Sequence, residues 1–165
     1  MAPLRRIAAD DLPRLRLFWQ QHWGGEEMIV HGQVFRPERL EGFVNADWTG
    51  LVTFLVTGDG CEIISLDSLK EGGGTGTSLV QAVVDEAGRR GCGRVLVTTT
   101  NDNLHALGFY QRRGFELAVI RRGAVAESRR LKPAIPLVGD NNIPIRDEIE
   151  LELRLPAQSA FRHGS

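Results

Sequence analysis

A run of glycines between an apolar segment and an amphipathic segment constrains the fold of this chain more than any other feature. The apolar segment, 62–69, reads as a β-strand, and the segment from Ser78 to about Arg90 reads as a helix with one apolar face. Residues 70–77 between them read Lys-Glu-Gly-Gly-Gly-Thr-Gly-Thr. Glycine lets a backbone approach a ligand closely, and the first N–H groups of a helix carry partial positive charge without an internal partner. The arrangement predicts a binding site for an anion, most often a phosphate.

Two common nucleotide-binding motifs do not fit this loop. Gly76 is followed by Thr77, whereas a Walker loop has a lysine there. The spacings that begin at Gly72 and Gly74 place Thr77 and Leu79 where a dinucleotide fingerprint requires its third glycine. The loop by itself is therefore also compatible with a tight strand-to-helix turn that binds no ligand.

A second motif, which follows an apolar strand at 95–99, decides between these alternatives. Together the two segments resemble the Gcn5-related N-acetyltransferase (GNAT) superfamily. In that family the pyrophosphate loop reads Gln/Arg-x-x-Gly-x-Gly/Ala, and here Gly74 and Gly76 match while Glu71 stands at the first position. The second family element reads Asn-x-x-Ala-x-x-Phe-Tyr-x-x-x-Gly-Phe. Every named position of it is matched, by Asn103, Ala106, Phe109, Tyr110, Gly114 and Phe115.

The resemblance implies an α/β (α+β) fold with a mixed, mostly antiparallel sheet of about six or seven strands flanked by about four helices. The strands that contain Ile64 and Leu96 are expected to run side by side and parallel, with the helix after the glycine loop connecting them. We expect one acetyltransferase-like domain over 1–156 and a flexible C-terminal tail over 157–165.

Local patterns predict the remaining elements. Asp10 and Asp11 can cap a helix that ends at Gly24, with one face formed by Leu15, Phe18, Trp19 and His22. We expect a short strand at 28–30, a helical turn within 36–43, and strands at 51–56, 61–69, 115–122 and 148–155. The segment 123–147 lacks a clear pattern, and its length suggests either a surface flap or a segment that contacts substrate.

Composition excludes several other classes of function. The chain of 165 residues carries a net charge of −1, so no general positive field favours nucleic acid or an anionic membrane surface. The sequence has no apolar stretch long enough for a membrane span and no signal-peptide pattern. Cys61 and Cys92 form neither a metal motif nor a disulfide framework. We expect a cytoplasmic protein without a metal ion, and homodimer formation is left open.

The family resemblance implies transfer of an acetyl group from acetyl-coenzyme A to a primary amine of a small molecule or peptide. The amine attacks the thioester directly in a ternary complex, so orientation contributes much of the rate. In the family the two parallel strands splay apart, one ending near Leu69 and the other near Thr100, and the acyl arm of the coenzyme lies in that gap. The resemblance thus implies coenzyme contacts from Leu66, Asp67, Ser68, Glu71, Gly72, Gly73, Gly74, Thr75, Gly76, Thr77, Asn103 and Tyr110. Asn103 is also expected to cap the helix that follows it.

Proton transfer requires an acid and a base. Tyr110 matches the family's general acid, and a phenol with an ordinary pKa of about 10 stays protonated at neutral pH. The alternative for Tyr110 is a core aromatic on an amphipathic helix. Glu62, on the strand beside the coenzyme, is the predicted general base. Asp67, His31 and a water chain are the alternatives.

Two departures from the family pattern remove positive charge near the pyrophosphate. Glu71 replaces glutamine or arginine, and Gly73 stands where many members have a basic residue. Lys70 and Arg112 are the cations that could compensate. A catalytically degenerate domain that binds coenzyme A is therefore the alternative function, and a nucleotide-binding domain is a third hypothesis.

Overall fold

The computed structural model describes residues 3–157, which form nine strands and four helices. The strands are β1 (Leu4–Arg6), β2 (Met28–Val30), β3 (Gln33–Phe35), β4 (Glu41–Asn45), β5 (Gly50–Thr57), β6 (Gly60–Ser68), β7 (Arg94–Thr100), β8 (Glu116–Arg121) and β9 (Glu148–Arg154). The helices are α1 (Leu12–Trp23), α2 (Thr75–Arg89), α3 (Leu104–Arg112) and α4 (Ala124–Leu131).

Seven of these strands form one sheet in the order β1-β4-β5-β6-β7-β9-β8, and β2 pairs with β3 in a separate hairpin. Neighbouring strands of the large sheet are antiparallel except β6 and β7, which are parallel and are connected through α2. The predicted fold class is confirmed, and so is the parallel pairing of the strands that contain Ile64 and Leu96.

Each face of the sheet is covered by its own apolar cluster. The α2 and α3 face buries Phe54, Ile63, Leu79, Val83, Val95, Tyr110 and Leu151 among others. The opposite face is covered by α1 and the β2–β3 hairpin, which bury Leu15, Phe18, Trp19, Met28 and Phe35. The predicted buried face of α1 is correct at its first three positions, but His22 is exposed. None of the helices in the described range combines the length and apolar character needed to cross a membrane.

A β-bulge in β6 separates it from β7. Phe54 of β5 pairs with Ile63, but Thr53 pairs with Ser65, so Ile64 is an extra residue in β6. Such an insertion bends a strand and increases its local twist. Pairing between β6 and β7 ends at Ile63 and Val97, although β6 continues to Ser68 and β7 to Thr100. The two strands therefore diverge beyond the bulge and leave a gap in the sheet.

Four parts of the chain differ from the sequence-based expectation. The short strands β1 and β3 were not predicted. The expected helical turn in 36–43 is only a 3-10 turn at Pro37–Arg39, followed by β4. The expected loop at 123–147 contains α4. Arg129 of that helix donates hydrogen bonds to the carbonyl oxygens of Pro136 (2.8 Å) and Ile145 (2.7 Å), which tie the segment to itself. Of the predicted tail, 158–165 lies outside the described residues, and the domain limits stay a prediction.

An ion-pair network fixes α2 to the edge of the sheet. The carboxylate of Glu86, whose residue is only 5 % exposed, accepts hydrogen bonds from Arg89 (2.9 Å), Arg90 (3.0 Å) and Arg6 of β1. The hydrogen bond from Arg89 is the largest of the effects that lower the pKa of Glu86 to about 2, against the opposing effect of burial. Arg90 also binds Glu41 of β4. The buried carboxylate of Glu86 thus links α2 directly to β1 and, through Arg90, to β4.

Substituting Glu86→Gln should lower the free energy of unfolding at pH 7 by about 1.5–3 kcal/mol, the range for hydrogen bonds to charged groups. Because the folded-state pKa of Glu86 is below the unfolded one, its contribution is complete above about pH 4.5 and declines as the pH falls towards 2. Urea unfolding between pH 7 and pH 3 measures this. Glu127→Gln, in an exposed pair with Arg130 on α4, is the control and should change stability by less than about 1 kcal/mol. A constant difference across that pH range would contradict the assignment.

Candidate active site

A groove lies where β6 and β7 diverge. One wall is formed by the end of β6 from Leu66 to Leu69, and the other by α3, with a volume of about 280 Å³ between them. Gly76 closes one part of it. The lining residues from α3 and its N-cap are Asn103, His105, Ala106, Phe109 and Tyr110. The groove thus brings together residues from both sequence motifs.

The edge of β6 that faces the groove has no strand partner beyond Ile63 within residues 3–157. On its other edge β6 stays paired with β5, since Leu66 lies opposite Val52 and Ser68 opposite Gly50. A fixed strand with one unpaired edge presents a row of backbone donors and acceptors to an extended ligand.

The glycine loop delivers the start of α2 to the end of this groove. Gly74, with φ +73°, is the N-cap, a conformation that residues with a side chain rarely adopt. The helix begins at Thr75, earlier than the predicted start at Ser78. Its first intrahelical hydrogen bond runs from the N–H of Ser78 to the carbonyl oxygen of Gly74 (3.0 Å). The N–H groups of 75–77 precede that bond and are available to an anion.

Gly76 is required by packing as well. A Cβ at Gly76 would lie 3.3 Å from the ring of Phe109 and 3.8 Å from the Cβ of Ser68. A Cβ at Gly73, in contrast, would meet only the hydroxyl of Thr75 at 3.8 Å. The loop is therefore close to α3 at Gly76 and open at Gly73.

The second motif forms the start and the buried face of α3. Asn103 is the N-cap, and its Oδ1 accepts a hydrogen bond from the N–H of Ala106 (3.0 Å), as predicted. Tyr110 is 5 % exposed and lies edge-on to Phe109 and Phe115. Burial raises the pKa of the Tyr110 phenol, and the nearby carboxylate of Asp67 raises it further. Tyr110 lies in the core and also lines the groove. Its position is therefore compatible with a general acid and with a core aromatic.

Asp67 lines the groove and is held by the end of α1. Its carboxylate accepts a hydrogen bond from Nε1 of Trp23, at 3.0 Å to Oδ1 and 3.1 Å to Oδ2. Burial raises the pKa of Asp67 to about 6, in opposition to that hydrogen bond. The carboxyl group is therefore easier to protonate than a solvated aspartate.

Two of the candidate bases form one hydrogen-bonded pair. Nε2 of His31, in the β2–β3 hairpin, lies 2.7 Å from Oε1 of Glu62, and both side chains are half-buried. The hydrogen bond to Glu62 raises the pKa of His31. Glu62 lies opposite Leu96 of β7, just before β6 and β7 separate. The pair is thus adjacent to the root of the groove, on the side covered by the hairpin.

The cation that contacts the end of the glycine loop is neither Lys70 nor Arg112, the two candidates predicted to supply positive charge there. Nζ of Lys70 binds the carboxylate of Asp47 (2.8 Å) on the surface, so Lys70 already has an acidic partner. The cation that reaches the loop is Arg113, which donates to the hydroxyl of Thr77. Arg113 was not among the predicted site residues, although it lies inside the second motif. Within 3–157 no three His, Cys, Asp or Glu side chains are grouped to hold a metal ion.

Residues 10–115 match the model of the acetyltransferase (GNAT) family. The chain belongs to this family. The uncharacterized protein YdhI of Bacillus subtilis is 45 % identical over 136 residues, which cover 80 % of this chain and 85 % of YdhI.

Two solved acetyltransferase structures share the fold at low identity. A Bacillus subtilis acetyltransferase in complex with CoA has a TM-score of 0.69 and 20 % identity, with 94 % of this chain and 100 % of that chain covered. The ribosomal-protein-S18-alanine N-acetyltransferase of Escherichia coli has a TM-score of 0.67 and 18 % identity, with 99 % and 100 % covered.

Asp67→Asn should make the stability of the GNAT domain less dependent on pH. The folded-state pKa of Asp67, about 6, is above its ordinary value of 3.8, so the folded state binds the proton more tightly. The wild type should therefore lose stability relative to Asp67→Asn as the pH rises from about 4 to 6. Thermal unfolding across this range measures the difference, with Asp59→Asn on an exposed turn as the control. A difference that stays constant between pH 4 and 7 would show that Asp67 titrates normally.

Proposed function

We propose that the protein is an N-acetyltransferase that binds acetyl-coenzyme A in the groove and acetylates a primary amine. The observation that carries this proposal is that two unpaired parts of the backbone adjoin each other. The unpaired edge of β6 beyond Ile63 leads directly to the glycine loop and to the exposed N–H groups at the start of α2.

Each part of this groove suits a different part of the coenzyme. The arm of coenzyme A contains two amide groups, which can pair with the backbone of Leu66, Asp67 and Ser68 as an added strand would. The pyrophosphate suits the N–H groups across 72–77, where the helix dipole adds partial positive charge. Asn103 and Tyr110 would contact the arm from α3. The carboxylate of Glu71 adds no attraction for phosphate, so the backbone carries that contact within the loop.

Acetyl-coenzyme A supplies an activated thioester, and the residues of this chain supply orientation and proton transfer. We propose that Tyr110 holds its phenolic proton at neutral pH, because burial raises its pKa, and donates it to the departing sulfur. The rings of Phe109 and Phe115, which make angles of 90° and 66° with the Tyr110 ring, fix its orientation.

We propose that Glu62 accepts the proton of the attacking amine and that His31 acts with it. The 2.7 Å contact between them lets Glu62 pass the proton on to His31, whose pKa is raised by that same hydrogen bond. Asp67 is the competing base, since it faces the groove and has a pKa of about 6.

A domain that binds coenzyme A without catalysis is the second candidate function. It is favoured by the two departures from the family loop, because neither Glu71 nor Gly73 supplies a basic side chain. The acceptor, a small-molecule or peptide amine, is part of the proposal. Of three acidic side chains that would attract a cationic amine, Glu27 binds Arg36 (2.8 Å) and Glu41 binds Arg90, whereas Glu26 lies near Gly24 and Lys132 at the end of α1. Homodimer formation and a cytoplasmic location stay predictions.

Gly73→Glu should weaken binding of acetyl-coenzyme A at least 10-fold while the protein stays folded. The new side chain has space in the free protein, and its carboxylate would repel the pyrophosphate at a position where many family members have a basic residue. Isothermal titration calorimetry gives the Kd. Gly88→Glu is the matched control, because a Cβ at Gly88 in α2 meets no atom within 4 Å and lies far from the loop. Equal affinity of the two folded variants would rule out this pyrophosphate site.

Tyr110→Phe should lower kcat by about 10²-fold, at the low end of the usual range for general acid catalysis, because a thiolate leaves fairly well without protonation. The phenylalanine ring keeps the packing against Phe115, so the Kd for acetyl-coenzyme A should change little. Release of free thiol measures turnover once a screen has identified an acceptor. Turnover at the wild-type rate, with chemistry rate-limiting, would make Tyr110 a packing residue only.

Glu62→Gln should lower kcat/KM for the acceptor by about 10²–10³-fold at pH 7.5 and leave the Kd for acetyl-coenzyme A unchanged. Asp67→Asn, assayed in parallel, distinguishes the two carboxylates, and Glu116→Gln on the exposed strand β8 controls for the loss of one charge. If Asp67→Asn produces the large loss and Glu62→Gln does not, Asp67 is the base.

A further inference from the structure

The anion site at the start of α2 has no basic side chain from its own loop. Residues 71–77 contain no lysine or arginine, and Glu71 adds a negative charge. Lys70, the nearest cation in sequence, is paired with Asp47 at 2.8 Å. A pyrophosphate carries about two negative charges, so a site made only of backbone N–H groups would leave much of that charge unbalanced.

Arg113 supplies a cation at this position from the other side of the groove. It is the C-cap of α3, and its Nε and Nη2 donate to Oγ1 of Thr77 at 3.1 and 2.5 Å. Its Nη1 donates to the carbonyl oxygen of Phe109 (2.7 Å), and the guanidinium carbon lies 3.5 Å from the centre of the Phe109 ring. These contacts hold the guanidinium rigidly beside the first turn of α2.

The guanidinium of Arg113 has N–H donors left for a further ligand. A guanidinium has five N–H donors, and the three contacts to Thr77 and Phe109 leave one N–H on each terminal nitrogen. Two terminal N–H groups match the spacing of phosphate oxygens, which is why arginine often binds phosphate in a bidentate manner. No carboxylate within residues 3–157 forms an ion pair with Arg113, whereas Arg6, Arg89 and Arg90 are all paired. Burial also lowers the pKa of Arg113, as expected for a partly desolvated cation without an anion.

We propose that Arg113 binds the pyrophosphate of the coenzyme and replaces the positive charge that Glu71 and Gly73 remove from the loop. Thr77 is a positioning residue in this arrangement, because its hydroxyl fixes the guanidinium from the helix that also presents the N–H groups. The phosphate is thereby held between α2 and α3. This inference rests on the proposed coenzyme site and adds to it a specific side chain, which lies outside the glycine loop.

The test is calorimetric binding of two ligands, coenzyme A and 3′-dephospho-coenzyme A, to three folded proteins. These are the wild type, Arg113→Met, which keeps most of the aliphatic stem over Phe109, and Arg39→Met, in the exposed 3-10 turn before β4, as the control for the loss of one positive charge. We expect Arg113→Met to raise the Kd roughly 10- to 100-fold for both ligands, the effect of losing one charge-assisted contact. Arg39→Met should stay within about threefold of the wild type.

The salt dependence and a conservative variant separate a phosphate contact from a structural effect. The affinity of the wild type should fall more steeply with rising salt concentration than that of Arg113→Met, since one ionic contact is missing from the variant. Arg113→Lys keeps the charge without the planar fork and should recover part of the affinity. If Arg113→Met does not fold, Arg113→Lys and Thr77→Val, which loosens the guanidinium, should each still weaken both ligands.

Several outcomes would overturn the proposal. Equal affinities of wild type and Arg113→Met would exclude a contact with any phosphate. A loss for coenzyme A alone would assign Arg113 to the 3′-phosphate instead of the pyrophosphate. A loss without any change in salt dependence would mean that Arg113 acts through packing on Phe109. Failure of the wild type to bind either ligand would instead refute the proposed function itself.

Discussion

The structure depends on one interruption of backbone pairing, the point where β6 separates from β7. The extra residue Ile64 bends β6, and pairing with β7 stops at Ile63 and Val97. β5 on one side and β9 on the other keep both strands in the sheet, so the gap does not collapse. The groove, the unpaired edge of β6 and the position of α2 at its end all follow from this divergence.

The sequence was most informative where structure is local. The glycine loop and the cap at Asn103 depend on residues within one turn of one another, so their spacing predicted both correctly. The apolar periodicity of α1 and α2 predicted the buried faces for the same reason, except at His22 of α1, which is exposed. Even the divergence of β6 and β7 was expected, although only because the two motifs resembled a known family. The bulge that produces it leaves no residue pattern of its own.

Contacts between distant segments were beyond a single sequence. The strands β1 and β4 are stabilised by pairing and by the arginines around Glu86, and not by a strong pattern of their own. His31 and Glu62 were considered as rival bases, yet the hairpin brings them into one pair. Arg113 was overlooked because its contact with Thr77 is made only when α3 packs beside α2. In each case the partners come from different elements, and their distance is set by packing.

The unpaired edge of β6 and the start of α2 are proposed to form one continuous coenzyme site. Residue-resolved amide hydrogen exchange with and without acetyl-coenzyme A reports on the backbone N–H groups of both segments. We expect saturating acetyl-coenzyme A to slow exchange in both 66–68 and 72–77, while the opposite end of α2 near Arg89 is unchanged. Protection of neither segment, or protection confined to the surface around Lys132, would contradict it.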